Sequence, residues 1–288
     1  MEDIHEERTD AAAAALLRER ALAGATRAAT YVLRRSVVFG THATARVLPS
    51  DLGVQWRGSP VATTRPLLFV GGYASVPELY AMLTTSYRRA GVEQVRIVPL
   101  IDYAFCDIRT NAEHLARVAD SIKGPFDIVA HSEGGLIARA YLNHLGGTER
   151  VRHLITIGTP HRGLPSTPMD LPLRIGSSAA ARQLNERVIK HIAPRVYDIG
   201  SLAARQMVRG SDFLVELDSV DGGTPGPTQY LAIASRHDGV IPFSTASLPD
   251  AWNVANVTID DGWMHGNHLS IASTNQHAFD ATMSFLLR

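Results

Sequence analysis

Short, largely apolar runs that alternate with helical patterns constrain this chain more than any other feature. Leu67-Leu68-Phe69-Val70 is the first such run, and Val95 to Pro99, Phe126 to Ala130 and Val151 to Ile157 follow it. Between them, Pro77 to Arg89, Ile108 to Ile122 and Gly134 to Leu145 read as helices, the first with a proline suited to its opening turn. A strand that is apolar throughout must be covered on both faces, and strands alternating with helices are joined by crossovers. The expected class is therefore α/β, with a mostly parallel sheet covered by helices on both faces.

After Pro160 the rhythm breaks for about sixty residues, where Pro165, Pro168, Pro172 and Pro194 punctuate helical patterns near 179–192 and 199–208. Strands return at Gln229 to Ala234 and Val254 to Ile259, and Thr274 to Leu287 reads as the last helix. The break lies on the side where strands deliver their C-termini, which is where ligands bind in open α/β sheets. A helical cap or lid over about 161–220 is the expectation, set within a main domain of 61–288. Leu184, Val188, Ile192 and Met207 would line an apolar acyl pocket or pack the cap onto the core; the pattern fits both. Residues 1–60 fall outside this rhythm. Residues 8–35 are rich in Ala, Leu, Arg and Glu, all good helix formers, and 36–61 alternate weakly, as an early pair of strands would.

Composition narrows the classes of partner. The 288 residues carry a formal net charge of zero, so nothing favours nucleic acid or an anionic membrane. A hydrophobic content of 45% is ample for a core. The single cysteine, Cys106, excludes an internal disulfide and a thiolate metal cluster, and its setting suits a half-buried small apolar residue. Among the 12 histidines none shows paired i, i+4 or His-x-His ligand spacing around an acidic residue, so no metal and no cofactor is expected. The chain starts acidic, and its apolar run from Ala11 to Leu17 is stopped by Arg18-Glu19-Arg20, which is unlike a secretory signal. A soluble, cytoplasmic protein is the expectation.

The chemistry concentrates in Phe-Asp-Ile-Val-Ala-His-Ser-Glu-Gly-Gly-Leu, residues Phe126 to Leu136. An apolar strand, a serine and a Gly pair opening a helix form the layout of a nucleophile elbow, a sharp turn that lifts a serine hydroxyl above the sheet. Small residues two before and two after the serine are needed for clearance, and Ala130 and Gly134 stand there. Ser132 is also the only serine in the chain followed two residues later by glycine.

Serine is a poor nucleophile at pH 7 without a base oriented by a carboxylate. In this architecture the order is Ser, then Asp or Glu after a late strand, then His after the last strand. Asp238, in Ser-Arg-His-Asp-Gly-Val-Ile-Pro, is the expected acid, with Asp260 and Asp261 as alternatives. His268 is the expected base, because Leu269 and Ile271 can anchor its loop, with His265 as the alternative. Backbone N–H groups would hold the oxyanion: Glu133, after the serine, and Tyr73 in Gly71-Gly72-Tyr73, with Gly72 or Ala74 as alternatives. The Glu133 carboxylate must then point away from the developing charge.

With these pieces placed, the chain resembles the α/β-hydrolase lipases, especially the bacterial group with alanine at the first elbow position. Ala-His-Ser-Glu-Gly-Gly-Leu-Ile-Ala-Arg matches the family's elbow and following helix, with its arginine at Arg139. Gly158-Thr159-Pro160-His161-Arg162-Gly163 looks like the loop before the lid, and Gly210-Ser211-Asp212-Phe213-Leu214 like the stretch that ends it. The resemblance implies Ser132 as nucleophile, Asp238 as acid and His268 as base, and leaves His131 and His161 structural. The family's His-Gly pair before the oxyanion residue is Gly71-Gly72 here. The implied activity is carboxylic ester hydrolysis through an acyl-enzyme, on a small-molecule ester or lipid met in transient contact with a lipid surface. An acyltransferase or thioesterase on the same residues is the nearest rival, and a non-catalytic binding protein the rival of another class.

Overall fold

A computed structural model describes residues 54–58, 65–165 and 201–288. Strands β1 (Leu67–Val70), β2 (Val95–Val98), β3 (Phe126–His131), β4 (Val151–Ile157), β5 (Gln229–Ser235) and β6 (Val254–Ile259) form one sheet in the order β2-β1-β3-β4-β5-β6. Every pairing in it is parallel. Helices α1 (Ala81–Arg89), α2 (Ile108–Asp120), α3 (Glu133–His144), α4 (Leu202–Gln206), α5 (Asp212–Asp218), α6 (Gly262–Gly266) and α7 (Gln276–Leu286) follow in chain order.

Strand alternation sorts the core into two faces. Leu68, Val70, Ile128 and Ala130 pack with Ile108 and Leu115 of α2, Leu136 and Ile137 of α3, and Leu217 of α5. Leu67, Phe69, Val129 and Ile155 pack with Leu83 and Tyr87 of α1 and Phe279 and Met283 of α7. Each of the buried Leu, Ile, Val, Phe and Met side chains among them stabilises the fold by roughly 1.5–3 kcal/mol. The central strand β3 is buried at all its positions, whereas the edge strands β2 and β6 are partly open, as a sheet covered on both faces requires.

Local chemistry sets the helix starts. Asp107, Ser201, Ser211 and Asn275 each accept a backbone N–H of the helix that follows, for α2, α4, α5 and α7. Helix α3 is the exception that matters: Ser132 occupies its N-cap and makes no side-chain cap. Its hydroxyl is left for other partners.

Two expectations need adjustment, and an open one is settled for Met207. The segment Pro77 to Arg89 starts as a 3-10 turn, Pro77–Tyr80, before α1 begins, so Tyr80 stands at a junction. The pattern over 199–208 gives only the five-residue α4. Met207 is buried in the core cluster with Leu214 and Leu217, so it packs the chain down. Leu184, Val188, Ile192, most of the expected cap and nearly all of residues 1–60 lie outside the described residues. Among the described residues no helix is long and apolar enough to cross a membrane.

Candidate active site

Ser132 follows β3 directly and has φ 56° and ψ −131°. A non-glycine residue at positive φ is strained and needs its surroundings to hold it there. Its N–H donates to Ile157 O at 2.9 Å, and its carbonyl accepts from Thr159 Oγ1 at 2.8 Å and from Gly135 N at 3.1 Å. The small neighbours are required by contact. A Cβ on Gly134 would collide with the carbonyl oxygens of Val70 and Gly71, and one on Gly135 with the Thr159 side chain.

Three side chains delivered by different strands meet here. Ser132 Oγ lies 3.0 Å from His268 Nε2, and His268 Nδ1 lies 2.8 Å from Asp238 Oδ2. The other carboxylate oxygen of Asp238 accepts the N–H groups of Val240 and Ile241, each at 2.8 Å. That holds the carboxylate, and the carboxylate orients the ring: with Nδ1–H donating to Asp238, Nε2 faces Ser132 Oγ as an acceptor. Gly158, at φ 57°, clears the space beside this pair. A Cβ there would stand 3.0 Å from Asp238 Oδ2 and 3.3 Å from His268 Nδ1.

The alternatives are engaged elsewhere. Asp260 bonds His237 at 2.8 Å, and Asp261 bonds His277 and Asn275, each at 2.8 Å. His265 belongs to α6, and its carbonyl accepts from Asn275 Nδ2 at 2.9 Å. The loop anchor differs from expectation in one respect. Ile271 is buried in the core, but Leu269 is largely exposed, because only one of the two faces the sheet in this tight turn.

The loop after β1 lies against the elbow. A Cβ on Gly72 would meet Ser132 Cβ at 2.7 Å and Glu133 N at 3.2 Å, so only glycine allows this approach. The Gly72 N–H donates to Tyr80 Oη at 3.4 Å and the Ala74 N–H to Tyr103 O at 2.9 Å, which commits both alternative oxyanion donors. Tyr73 stands between them, its ring edge-on to Phe105 at 4.8 Å. Glu133 opens α3, where backbone N–H groups lack helical partners and the helix dipole favours negative charge.

The Glu133 side chain departs from simple avoidance. It is fully buried, and neither carboxyl oxygen has a hydrogen-bond partner. Burial pushes its pKa well above the carboxylate range.

Tyr80 carried no signal in the sequence, Gly158 and Thr159 stood only in the loop resembling the one before the lid, and His131 had only a structural part. His131 Nε2 is 2.9 Å from His268 O, and its Nδ1 is 2.9 Å from Tyr80 Oη. Strand alternation was the available signal for His131, since it shares the face of Val129. Nothing local marks Tyr80, which lies 51 positions from its partner.

Residues 89–221 match the family described as palmitoyl protein thioesterase, less than half of the chain and a stretch that includes Ser132 but neither Asp238 nor His268. No curated protein sequence matches the chain. Aspergillus fumigatus lipase B superposes with a TM-score of 0.58 at 15% identity, over 78% of this chain and 52% of that one. The chain thus spans about half the length of that lipase. The mature form of Bacillus licheniformis lipase BlEst2 gives 0.55 at 20% identity, over 82% of this chain and 97% of that one. A lipase-esterase related protein from Clostridium acetobutylicum gives 0.53 at 13% identity, over 81% and 97%. At such identities the likeness is one of fold, and this chain has the α/β-hydrolase fold.

Proposed function

We propose that this protein is a serine hydrolase that cleaves carboxylic esters of apolar acyl groups through an acyl-enzyme. The observation that carries the reading is the unbroken chain from Ser132 Oγ through the His268 ring to Asp238, at 3.0 and 2.8 Å. Ser132 attacks the ester carbonyl as His268 Nε2 takes its proton. The tetrahedral oxyanion is held by the N–H groups of Glu133 and Tyr73, each worth on the order of 3 kcal/mol in the transition state. The protonated His268 then gives its proton to the leaving alcohol, and the acyl group stays on Ser132. Water, activated by the same ring, attacks the acyl-enzyme and releases the acid. Asp238 keeps the ring in the working tautomer and stabilises its cation.

Lipid esters are favoured as substrates, reached through transient contact with a lipid surface. Supporting this, Trp263, Met264 and Leu269 expose apolar surface on the segment that carries His268. A second reading has a specific observation behind it: the match to palmitoyl protein thioesterases supports a thioester of a long acyl chain as substrate. The same steps apply, with a thiol as leaving group.

Intact mass after treatment with a fluorophosphonate, followed by peptide mapping, tests the proposal. One adduct on Ser132 is expected. An unlabelled but folded protein, or an adduct on another residue, would remove the reading. Turnover of oxygen and sulfur esters with the same acyl chain then separates the two substrate classes.

A further inference from the structure

A pair of buried side chains ties the two halves of this site together. His268 O accepts a hydrogen bond from His131 Nε2 at 2.9 Å, and a carbonyl can only accept, so Nε2 carries the proton. Burial, with the neighbouring His268 adding to it, holds the His131 ring well below its ordinary pKa and hence neutral. Its Nδ1 is therefore an acceptor, and the Tyr80 hydroxyl 2.9 Å away donates to it. Burial raises the Tyr80 pKa to about 12, so that proton stays in place. The Tyr80 oxygen in turn accepts the Gly72 N–H at 3.4 Å. Every donor in the sequence Gly72, Tyr80, His131, His268 is thus fixed in one direction.

We propose that Tyr80 and His131 are positioning residues, a strut that sets the base loop at His268 against the oxyanion loop at Gly72. The inference rests on the serine hydrolase reading above. Two further observations support it. Gly71 makes room for the strut, since a Cβ there would stand 2.7 Å from Tyr80 Cε2 and 2.5 Å from Ser75 Oγ. The rings are also packed in series: Phe69 to Tyr80 at 4.6 Å, Tyr80 to His131 at 5.7 Å, and His131 to His268 at 4.5 Å between centroids. Phe69 and His131 belong to adjacent strands β1 and β3, so the strut is braced on the centre of the sheet. The charge state has a mechanistic use. His268 becomes a cation during turnover, and a neutral ring tilted by 40° against it does not oppose that charge. Tyr80, His268 and, beyond Tyr80, Glu133 are the titratable groups that act on the strut.

Steady-state kinetics on a p-nitrophenyl acyl ester with the full chain, together with 15N-imidazole NMR, test the strut. Tyr80→Phe keeps the ring but removes the hydroxyl; kcat should fall about tenfold with KM within about twofold, because geometry and not ground-state binding is disturbed. His131→Leu should lose more than His131→Gln, whose amide N–H can still reach the His268 carbonyl. Unchanged kcat in Tyr80→Phe and His131→Leu, or equal losses in the Gln and Leu variants, would overturn the proposal. NMR decides it without turnover. In the wild type at pH 8 the His131 proton should sit on Nε2, and Tyr80→Phe should shift both the Gly72 amide and the His268 ring. A His131 proton on Nδ1, or a His268 ring that ignores Tyr80, would overturn the strut. Absence of a Ser132 adduct in the wild type would instead mark failure of the hydrolase reading.

Discussion

His268 Nε2 stands 3.0 Å from Ser132 Oγ although 136 positions separate the two residues. Neither is placed by its own local chemistry alone. Ser132 follows β3, Asp238 follows β5 and His268 follows β6, so the parallel sheet delivers all three to one edge. The geometry depends on how rigidly each turn is held, and that can be tested.

Removing the hydroxyl should leave the fold intact and abolish the chemistry. Ser132→Ala is expected to melt within a few degrees of wild type and lose ester turnover by about 10³-fold or more. His268→Ala should be comparably damaging and His265→Ala mild. Paired melting curves and turnover rates check this; a mild His268→Ala would give the base role to another residue.

Gly158→Ala places a methyl group 3.0 Å from Asp238 Oδ2 and Ile271 Cδ1, at a φ of 57° that disfavours a side chain. A loss of about 1–2 kcal/mol in urea unfolding is expected, from strain at that φ. Turnover should fall by about tenfold or more, because the acid and base are pushed apart. Unaltered turnover would show that the pair adjusts freely.

Glu133 gives a stability signature at high pH. Its carboxyl has a raised pKa in the fold and an ordinary one, near 4.5, in the unfolded chain. Below that value both states hold the proton; as pH rises, the unfolded chain releases it first and the folded state loses relative stability. Glu133→Gln removes the proton from the balance. Its melting temperature should therefore gain on the wild type as pH rises from 4 to 8, and a constant difference would show that Glu133 is solvated or paired.

His131 and His161 give the opposite slope. Burial holds both well below 6.5, with Arg139 and Arg162 adding to the effect at His161. Below about 6.5 the unfolded chain takes up protons that the folded one refuses, so stability should decline as pH falls through that range. His161→Gln should be less stable at pH 8 but show a shallower acid decline. Melting curves from pH 8 to 5 measure both slopes.

The class of fold was legible in the residues, as were Ser132, Asp238 and His268 as candidates for one site. Apolar runs such as Leu67–Val70 and Phe126–Ala130 require burial on both faces, and a serine between strand and Gly-rich helix has few other uses. Chain order put an acid after a late strand and a base after the last one, but it left Asp260, Asp261 and His265 beside Asp238 and His268; which of them meets Ser132 follows from the packing. Tertiary structure alone decided the rest. The Tyr80 hydroxyl meets His131 only because β1 and β3 are neighbours in the sheet, and no local pattern encodes that adjacency. Gly71, Gly72 and Gly158 look like ordinary loop glycines until the atoms they must clear are known. Leu269 and Ile271, two apolar residues in one turn, part ways for the same reason: burial depends on which side of the chain faces the sheet, and that is settled by packing across the whole domain.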